Sequence, residues 1–172
     1  RRADEARYQE VTVRSAMAKA IGMPFKWALN PYRGCTHACE YCYARKYQKH
    51  LELDAGDAFS TVIFVKTNLP QTLAREVRKV SWARETVAIG SATDPYQPAE
   101  RRLRITRSVL EVMNETNHPF SLITKSSGVE RDLDLIAPMA ARRLAAVYVS
   151  ITTLDAELAR RLEPRAAAPH RR

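Results

Sequence analysis

The sequence predicts an α/β fold in which parallel strands, covered by helices, form a partial (βα) barrel. Four runs of apolar and β-branched residues, 61–66, 86–90, 120–125 and 145–152, are typical of strands that are buried on both faces. Segments with the 3.6-residue periodicity of amphipathic helices separate these runs. Right-handed crossovers then wind successive units in one direction, toward a barrel. A doubly wound sheet is the alternative architecture.

Upstream of these runs we expect a first strand at 27–34 and a first helix at 41–51. Later helices are predicted from stripes of apolar residues, and a short last helix from 155–162. The stripe residues are Leu69, Leu73, Val77 and Val80, then Ile105, Val109, Val112 and Met113, then Leu133, Ile136, Met139, Ala140 and Leu144. Ser127 and Glu130 form a predicted capping box at the start of the third stripe's helix.

The length of 172 residues, 45% of them apolar, predicts a single domain. Within it we expect an N-terminal extension at 1–25, βα units at 26–162 and a basic Pro/Ala tail at 163–172. The sequence opens with Arg1, and the strand at 145–152 has no later strand with which to pair. We therefore expect the chain to be a fragment of a protein with at least one more βα unit, because the tail is unsuited to covering that strand.

The formal net charge of +9 is concentrated at the two ends of the chain, in Arg1, Arg2 and residues 160–172. A nucleic-acid partner is therefore an open alternative, and a solvated basic surface is the simpler one. No run approaches the roughly 18 apolar residues of a membrane span, and no secretory signal opens the sequence. We expect a cytoplasmic protein without a membrane partner.

The three cysteines, Cys35, Cys39 and Cys42, fall within eight residues, and the rest of the chain has none. An odd, clustered set without a secretory signal indicates metal ligation rather than disulfides. If Cys39 and Cys42 share one turn and Cys35 precedes it, the three thiolates can converge. A cubane has four irons, so three thiolates leave one iron open. That iron could bind the amino and carboxylate groups of S-adenosylmethionine (SAM) and pass an electron to its sulfonium.

The C-x3-C-x2-C spacing, with Tyr41 before the last cysteine, resembles the signature of the radical SAM superfamily. Further segments are similar to its branch related to spore photoproduct lyase, over about residues 30–165. They are 30–35 (NPYRGC), 42–45 (CYAR), 90–100 (GSATDPYQPAE), 124–125 (TK), 131–133 (RDL) and 150–153 (SITT). The resemblance implies a radical SAM barrel and an enzyme with a [4Fe-4S] cluster and SAM as cofactors. Such an enzyme generates a 5'-deoxyadenosyl radical, which abstracts hydrogen from a substrate that the sequence does not identify. An electron donor such as a flavodoxin or ferredoxin is implied as a partner.

The same resemblance implies SAM contacts from Thr93, Lys125 and Ser150, and an adenine contact through the backbone of Tyr41. Thr93, Lys125 and Ser150 fall at the carboxyl ends of predicted strands, where a βα barrel gathers its site. Structural alternatives apply to these residues. Thr93 could belong to a turn, Ser150 could be a buried strand hydroxyl, and the Tyr41 side chain could merely pack.

The sequence departs from spore photoproduct lyase at one point. That enzyme has a further cysteine near the end of its third strand, which donates a hydrogen atom, and residues 90–96 contain none. The resemblance therefore does not imply thymine-dimer repair by this chain. A nucleic-acid lyase or repair enzyme is one alternative function. A non-enzymatic iron–sulfur module for electron transfer or sensing is another. A zinc site with three cysteines and His37 or His50 is the third.

Overall fold

The computed structural model describes residues 6–51 and 56–172 and has a mixed α/β fold in which eight strands form two sheets. The expected combination of parallel strands and helices is thereby confirmed. The strands are β1 (Arg7–Val11), β2 (Ala18–Lys19), β3 (Trp27–Leu29), β4 (Tyr32–Arg33), β5 (Val62–Lys66), β6 (Val87–Ile89), β7 (Phe120–Thr124) and β8 (Ala145–Val149).

The larger sheet has the order β2-β3-β6-β7-β8. Strands β3, β6, β7 and β8 run parallel, and Leu29, Ile89 and Leu122 lie in register across the first three. All three side chains are fully buried, because helices cover the sheet. Parallel strands direct their carboxyl ends to one edge, so the loops after β3, β6, β7 and β8 meet there.

The smaller sheet has the order β1-β5-β4, with β1 parallel and β4 antiparallel to β5. Two expectations are corrected by the strand order of the two sheets. The predicted strand 27–34 divides at Pro31, which has no N–H group for a ladder, although its carbonyl accepts from the Lys66 N–H. Strand β3 therefore pairs directly with β6 in the larger sheet. Strand β5, which lies between them in the sequence, belongs to the smaller sheet. Residues 1–25, expected as an extension, contribute β1 and β2.

The α-helices are α1 (Ala58–Thr61), α2 (Leu69–Val77), α3 (Glu100–Leu103), α4 (Ile105–Glu115), α5 (Leu133–Ala141) and α6 (Ala156–Leu162). Among the described residues, 3-10 helices span Tyr43–Leu51, Ser127–Asp132 and Pro169–Arg171. The predicted helix 41–51 is thus a 3-10 helix that begins two residues later. Helix α2 contacts α4, α4 contacts α5, and their buried side chains join those of β3, β6 and β7 in the main core.

Two details of the predicted helices are wrong. Helix α2 ends at Val77, so Val80 lies beyond it and is fully exposed rather than on the apolar stripe. The capping residue is Ser126, whose hydroxyl accepts from the Gly128 N–H at the start of the 3-10 helix Ser127–Asp132, and not Ser127 at the start of α5. An error of one residue moves a cap without changing the helix.

Among the described strands, β8 pairs only with β7, as expected for an edge. The tail at 163–172 nevertheless packs against the end of this strand, contrary to expectation. Glu163 and the Arg172 side chain are buried, and Arg172 Nη1 donates to the Ser150 carbonyl at 2.9 Å. In the described part of the chain, no helix has the length and apolar character of a membrane span.

Gly34 follows β4 in the left-handed conformation, with φ at 81°. An added Cβ would lie 2.7 Å from the Val62 carbonyl oxygen and 2.9 Å from that of Phe59. We expect Gly34→Ala to lower the free energy of unfolding by about 2–5 kcal/mol, because left-handed strain adds to a clash with backbone. Urea denaturation measures this loss.

Gly22 supplies the matched control, since its φ is 73° and nothing lies within 4 Å of the added Cβ. Gly22→Ala should cost only about 1–2 kcal/mol, from the left-handed conformation alone. Equal losses in the two variants would contradict the close packing of Gly34 on the backbone of α1 and β5.

Candidate active site

A cavity of about 380 Å³ opens where the cysteine loop meets the carboxyl ends of β6, β7 and β8. All seven residues predicted from the sequence line it. They are Cys35, Cys39, Cys42, Tyr41, Thr93, Lys125 and Ser150. They come from four separate segments of the chain, so the fold brings together residues that are up to 115 positions apart.

Backbone hydrogen bonds shape the cysteine loop. The Ala38 N–H donates to the Cys35 carbonyl and the Cys42 N–H to the Cys39 carbonyl, each at 3.3 Å. Ala38 is left-handed, with φ at 56°, which reverses the chain between the first two cysteines. The Arg45 guanidinium closes the loop, donating to the Ala38 carbonyl at 3.1 Å and to the Cys39 carbonyl at 2.9 and 3.0 Å. The three cysteines are thereby held on one short, internally bonded segment.

All three thiols are free, and those of Cys35 and Cys39 are buried. Burial, together with the charge of Asp94, raises the pKa of Cys35, although the N–H groups of Asp94 and His37 donate to its sulfur. Burial raises the pKa of Cys39 to about 11, and the cation of Lys125 opposes this shift. Both thiols are therefore protonated at neutral pH unless a bound metal stabilises the thiolates.

Gln97 joins the cysteine loop to the segment after β6. Its side-chain carbonyl accepts from the Thr36 N–H at 3.1 Å, and its amide donates to the Thr93 hydroxyl at 3.0 Å and the Gly34 carbonyl at 3.3 Å. The Thr93 hydroxyl in turn donates to the Gly34 carbonyl at 2.6 Å. Thr93 lines the cavity, but its hydroxyl proton is engaged in holding the loop.

Asp94 is a buried carboxylate that ties three segments together. Its Oδ1 accepts from the Tyr96 N–H at 2.9 Å and the Thr124 hydroxyl at 2.8 Å, and its Oδ2 accepts from the Lys125 N–H at 2.7 Å. The His37 Nδ1 atom lies 3.3 Å from Oδ2, without a well-aligned hydrogen bond. Burial alone would raise the pKa of Asp94. The His37 ring and the donated hydrogen bonds outweigh burial, so this pKa lies below its ordinary value.

Lys125 lines the same cavity, and Glu163 lies beside it. The Lys125 Nζ atom is 5.8 Å from the Tyr41 ring centroid and 4.0 Å from Glu163 Oε1. Glu163 also accepts from the hydroxyls of Tyr41 and Thr152, and it pairs with Arg172 at 2.6 Å. Burial would raise the pKa of Glu163, but these hydrogen bonds and the Arg172 charge lower it. Burial and the hydrogen bond to Glu163 raise the pKa of Tyr41 to about 12.

Sequence analysis missed the polar residues that support the site. From the sequence, His37 is predicted only as an alternative zinc ligand and Glu163 as part of the tail, and Asp94 lies in a segment of family resemblance without an assigned role. Gln97 was not singled out at all. The one available signal was position, because Asp94 and Gln97 directly follow a predicted strand whose carboxyl end faces the site. The side chain of His50, the other zinc candidate, lies outside the described residues.

Residues 29–172 match the family model of the Radical SAM superfamily. The chain belongs to the radical SAM superfamily. Uncharacterized protein Rv2578c of Mycobacterium tuberculosis is 40% identical over 172 residues, which cover 98% of this chain and 51% of that protein. Uncharacterized protein MJ0683 of Methanocaldococcus jannaschii is 29% identical over 141 residues, which cover 81% of this chain and 49% of that protein. The chain spans about half the length of these relatives.

Solved structures of spore photoproduct lyase are similar to this radical SAM chain. One, complexed with dinucleoside spore photoproduct, has a TM-score of 0.68 at 16% identity and covers 96% of this chain and 45% of that chain. A mutant with bound AdoMet and dinucleoside spore photoproduct has a TM-score of 0.64 at 17% identity, with the same coverage. At such low identity the similarity concerns the fold, and the expected resemblance to this branch is confirmed at that level.

Asp94→Asn should lower the free energy of unfolding of this radical SAM domain by about 2–4 kcal/mol at neutral pH. An amide group offers two N–H donors where a carboxylate accepts from donors on both oxygens, so a buried donor is left unpaired. The stabilising effect of Asp94 is complete above its ordinary pKa of 3.8 and is lost as the pH falls through its lower folded value. The difference between wild type and variant should therefore shrink in acid.

Denaturant unfolding at neutral and acidic pH tests this expectation. Asp134→Asn is the control, because this carboxylate is largely exposed where it pairs with Arg107. The control should change stability little at either pH. A pH-independent loss in Asp94→Asn, or a loss of equal size in the control, would show that the Asp94 charge does not stabilise the site.

Proposed function

We propose that this chain carries the catalytic core of a radical SAM enzyme, in which Cys35, Cys39 and Cys42 hold a [4Fe-4S] cluster beside bound SAM. The observation that carries the proposal is that the three free thiols line one cavity with Lys125 and Ser150, at the carboxyl ends of parallel strands. The finer description of the fold as a partial barrel of the radical SAM type is part of this proposal.

The donor set fits such a cluster. The three thiols are soft ligands that can bind three of the four irons of a cubane cluster. The fourth iron is then open to a ligand that is not a cysteine. When bound, the cluster supplies the single electron that cleaves SAM reductively to methionine and a 5'-deoxyadenosyl radical, which abstracts hydrogen from the substrate. The His37 ring faces Asp94 at 3.3 Å, an arrangement that favours a structural role over zinc ligation.

For SAM, the cavity offers one cation and several polar groups. The Lys125 side chain is 22% exposed and its ammonium is 4.0 Å from Glu163, so it is close enough to be oriented and still available to a ligand carboxylate. Ser150 and the main chain of residues 90–92 line the same cavity, and Tyr41 supplies an aromatic wall. Thr93 acts indirectly, since its hydroxyl holds the Gly34 carbonyl.

The proposal includes an electron donor of the flavodoxin or ferredoxin type and a cytoplasmic location. The substrate and the class of reaction are left unassigned. Nucleic-acid repair of the spore photoproduct lyase type is a separate candidate, and its support is the likeness in fold. The described cavity lining contains no cysteine besides the three proposed ligands, so a hydrogen-donating fourth thiol would have to come from elsewhere.

The proposal is tested by anaerobic reconstitution with iron and sulfide, followed by dithionite, SAM and measurement of 5'-deoxyadenosine. We expect wild-type protein to form this product. Cys39→Ala should lose both the [4Fe-4S] spectrum and the product, because two thiolates retain a cubane poorly. Ser126→Ala, a helix-cap change outside the lining of the cavity, is the control and should retain both. A stable cluster in Cys39→Ala would overturn the ligand assignment, and a cluster without product would favour an electron-transfer or sensing module.

Lys125→Met should keep the cluster but weaken SAM binding by roughly tenfold or more, because it removes the cation from the cavity and keeps the aliphatic stem beside Tyr41. Lys79→Met is the matched control, since Lys79 is exposed beyond α2. Equilibrium binding of SAM to reconstituted protein measures the effect. An unchanged affinity for SAM in Lys125→Met would show that Lys125 has a purely structural role.

A further inference from the structure

A second cavity, of about 290 Å³, adjoins the candidate active site and shares Ala44 and Ala92 with it. Its walls come from β4, β5 and the 3-10 helix at Tyr43–Leu51. Its composition differs from that of the first cavity, because the polar side chains that line it include two cations and two amides. They are Asn30, Arg33, Gln48 and Lys66.

Gln48 is the unusual member of this group. Its side chain is 1% exposed, and within the part of the chain that the structure describes neither its amide nitrogen nor its carbonyl oxygen has a hydrogen-bond partner. Buried side-chain amides are nearly always paired, because an unpaired one loses its bonds to water without replacement. The neighbouring Asn30 shows the usual state, with its amide bonded to the Ser91 hydroxyl and its carbonyl to the Ala92 N–H. The unpaired Gln48 amide nitrogen therefore indicates a ligand that accepts its N–H hydrogen bonds.

The charges around Gln48 indicate the sign of that ligand. Arg33 uses one of its donors on the Tyr47 carbonyl, at 3.3 Å. Among the described residues, neither Arg33 nor Lys66 pairs with a carboxylate. Burial and the nearby charge of Arg33 lower the pKa of Lys66 to about 8. Two cations that line one cavity repel each other, and an anion between them removes that repulsion.

We propose that this second cavity binds a phosphate group, held by Arg33, Lys66 and the amide of Gln48. Two positive charges match the dianion of a terminal phosphate better than a carboxylate or a phosphodiester, and the Gln48 N–H donates to a phosphate oxygen. The cavity is larger than a phosphate ion, and its wall at Ala44 and Ala92 faces the candidate active site. The assignment of this phosphate to the enzyme's substrate rests on the proposed function. The binding of phosphate itself does not depend on that function.

Calorimetric titration of the 172-residue chain with inorganic phosphate, at constant ionic strength in chloride, tests the site. The assay requires neither iron nor SAM, so its outcome is separate from that of the radical chemistry. We expect saturable binding at one site. Lys66→Met should weaken it by roughly tenfold or more, and Lys79→Met, which removes an exposed charge, should leave it unchanged.

Gln48→Leu gives an independent readout, because it removes the unpaired amide and keeps the side chain's approximate size. It should weaken phosphate binding and also raise the melting temperature of the phosphate-free protein, by about 2–4 °C. Gln71→Leu, at an exposed position of α2, should do neither. The melting curve also shows directly that the variant folds.

Three results would overturn the proposal. The first is the absence of saturable phosphate binding, or an equal loss in Lys66→Met and Lys79→Met. The second is a lower melting temperature in Gln48→Leu, which would make the amide a packing element. The third comes from two further titrants, acetate and dimethyl phosphate. If acetate binds as tightly as phosphate, the site takes carboxylates, and if dimethyl phosphate does, it takes the diester backbone of a nucleic acid.

Discussion

The buried carboxylate of Asp94 is the interaction on which the candidate active site depends. One oxygen accepts from the Tyr96 N–H and the Thr124 hydroxyl, and the other from the Lys125 N–H, so the ends of β6 and β7 are fixed to each other. The same carboxylate lies 3.3 Å from His37, in the cysteine loop. A charge buried this deeply is stable only while every donor stays in position. The carboxylate therefore holds Thr124 and Lys125 in position at the cavity wall.

A second buried carboxylate, Glu163, has the same role on the opposite side. It joins Tyr41 of the cysteine loop, Thr152 after β8 and Arg172 in the tail. Lys125 lies between Asp94, which holds its backbone, and Glu163, which lies near its ammonium group. The two carboxylates thus orient one cation without neutralising it fully. Such preorganisation is what an anionic ligand group requires of its site.

The sequence predicted the parts of the site that depend on local pattern. The cysteine spacing predicted that the three thiols converge, and the family resemblance implied Lys125 and Ser150, in agreement with the rule that parallel strands share a carboxyl edge. Strand order was not predictable in the same way. The break at Pro31 changes the order only because β4 turns away from β3 and pairs with β5, a contact between segments distant in sequence. The tail was misjudged for a related reason. The burial of Glu163 depends on partners distant in sequence, and composition suggested only a basic, proline-rich end.

The central claim is that three cysteines hold a cluster whose remaining iron binds SAM directly. Electron–nuclear double resonance of the reduced, reconstituted protein tests it, with SAM isotopically labelled at its amino nitrogen and carboxylate oxygens. We expect hyperfine coupling of both labels to the cluster in the wild-type protein. A normal reduced-cluster signal without coupling to either label, at saturating SAM, would contradict it and would assign the cluster to electron transfer or sensing.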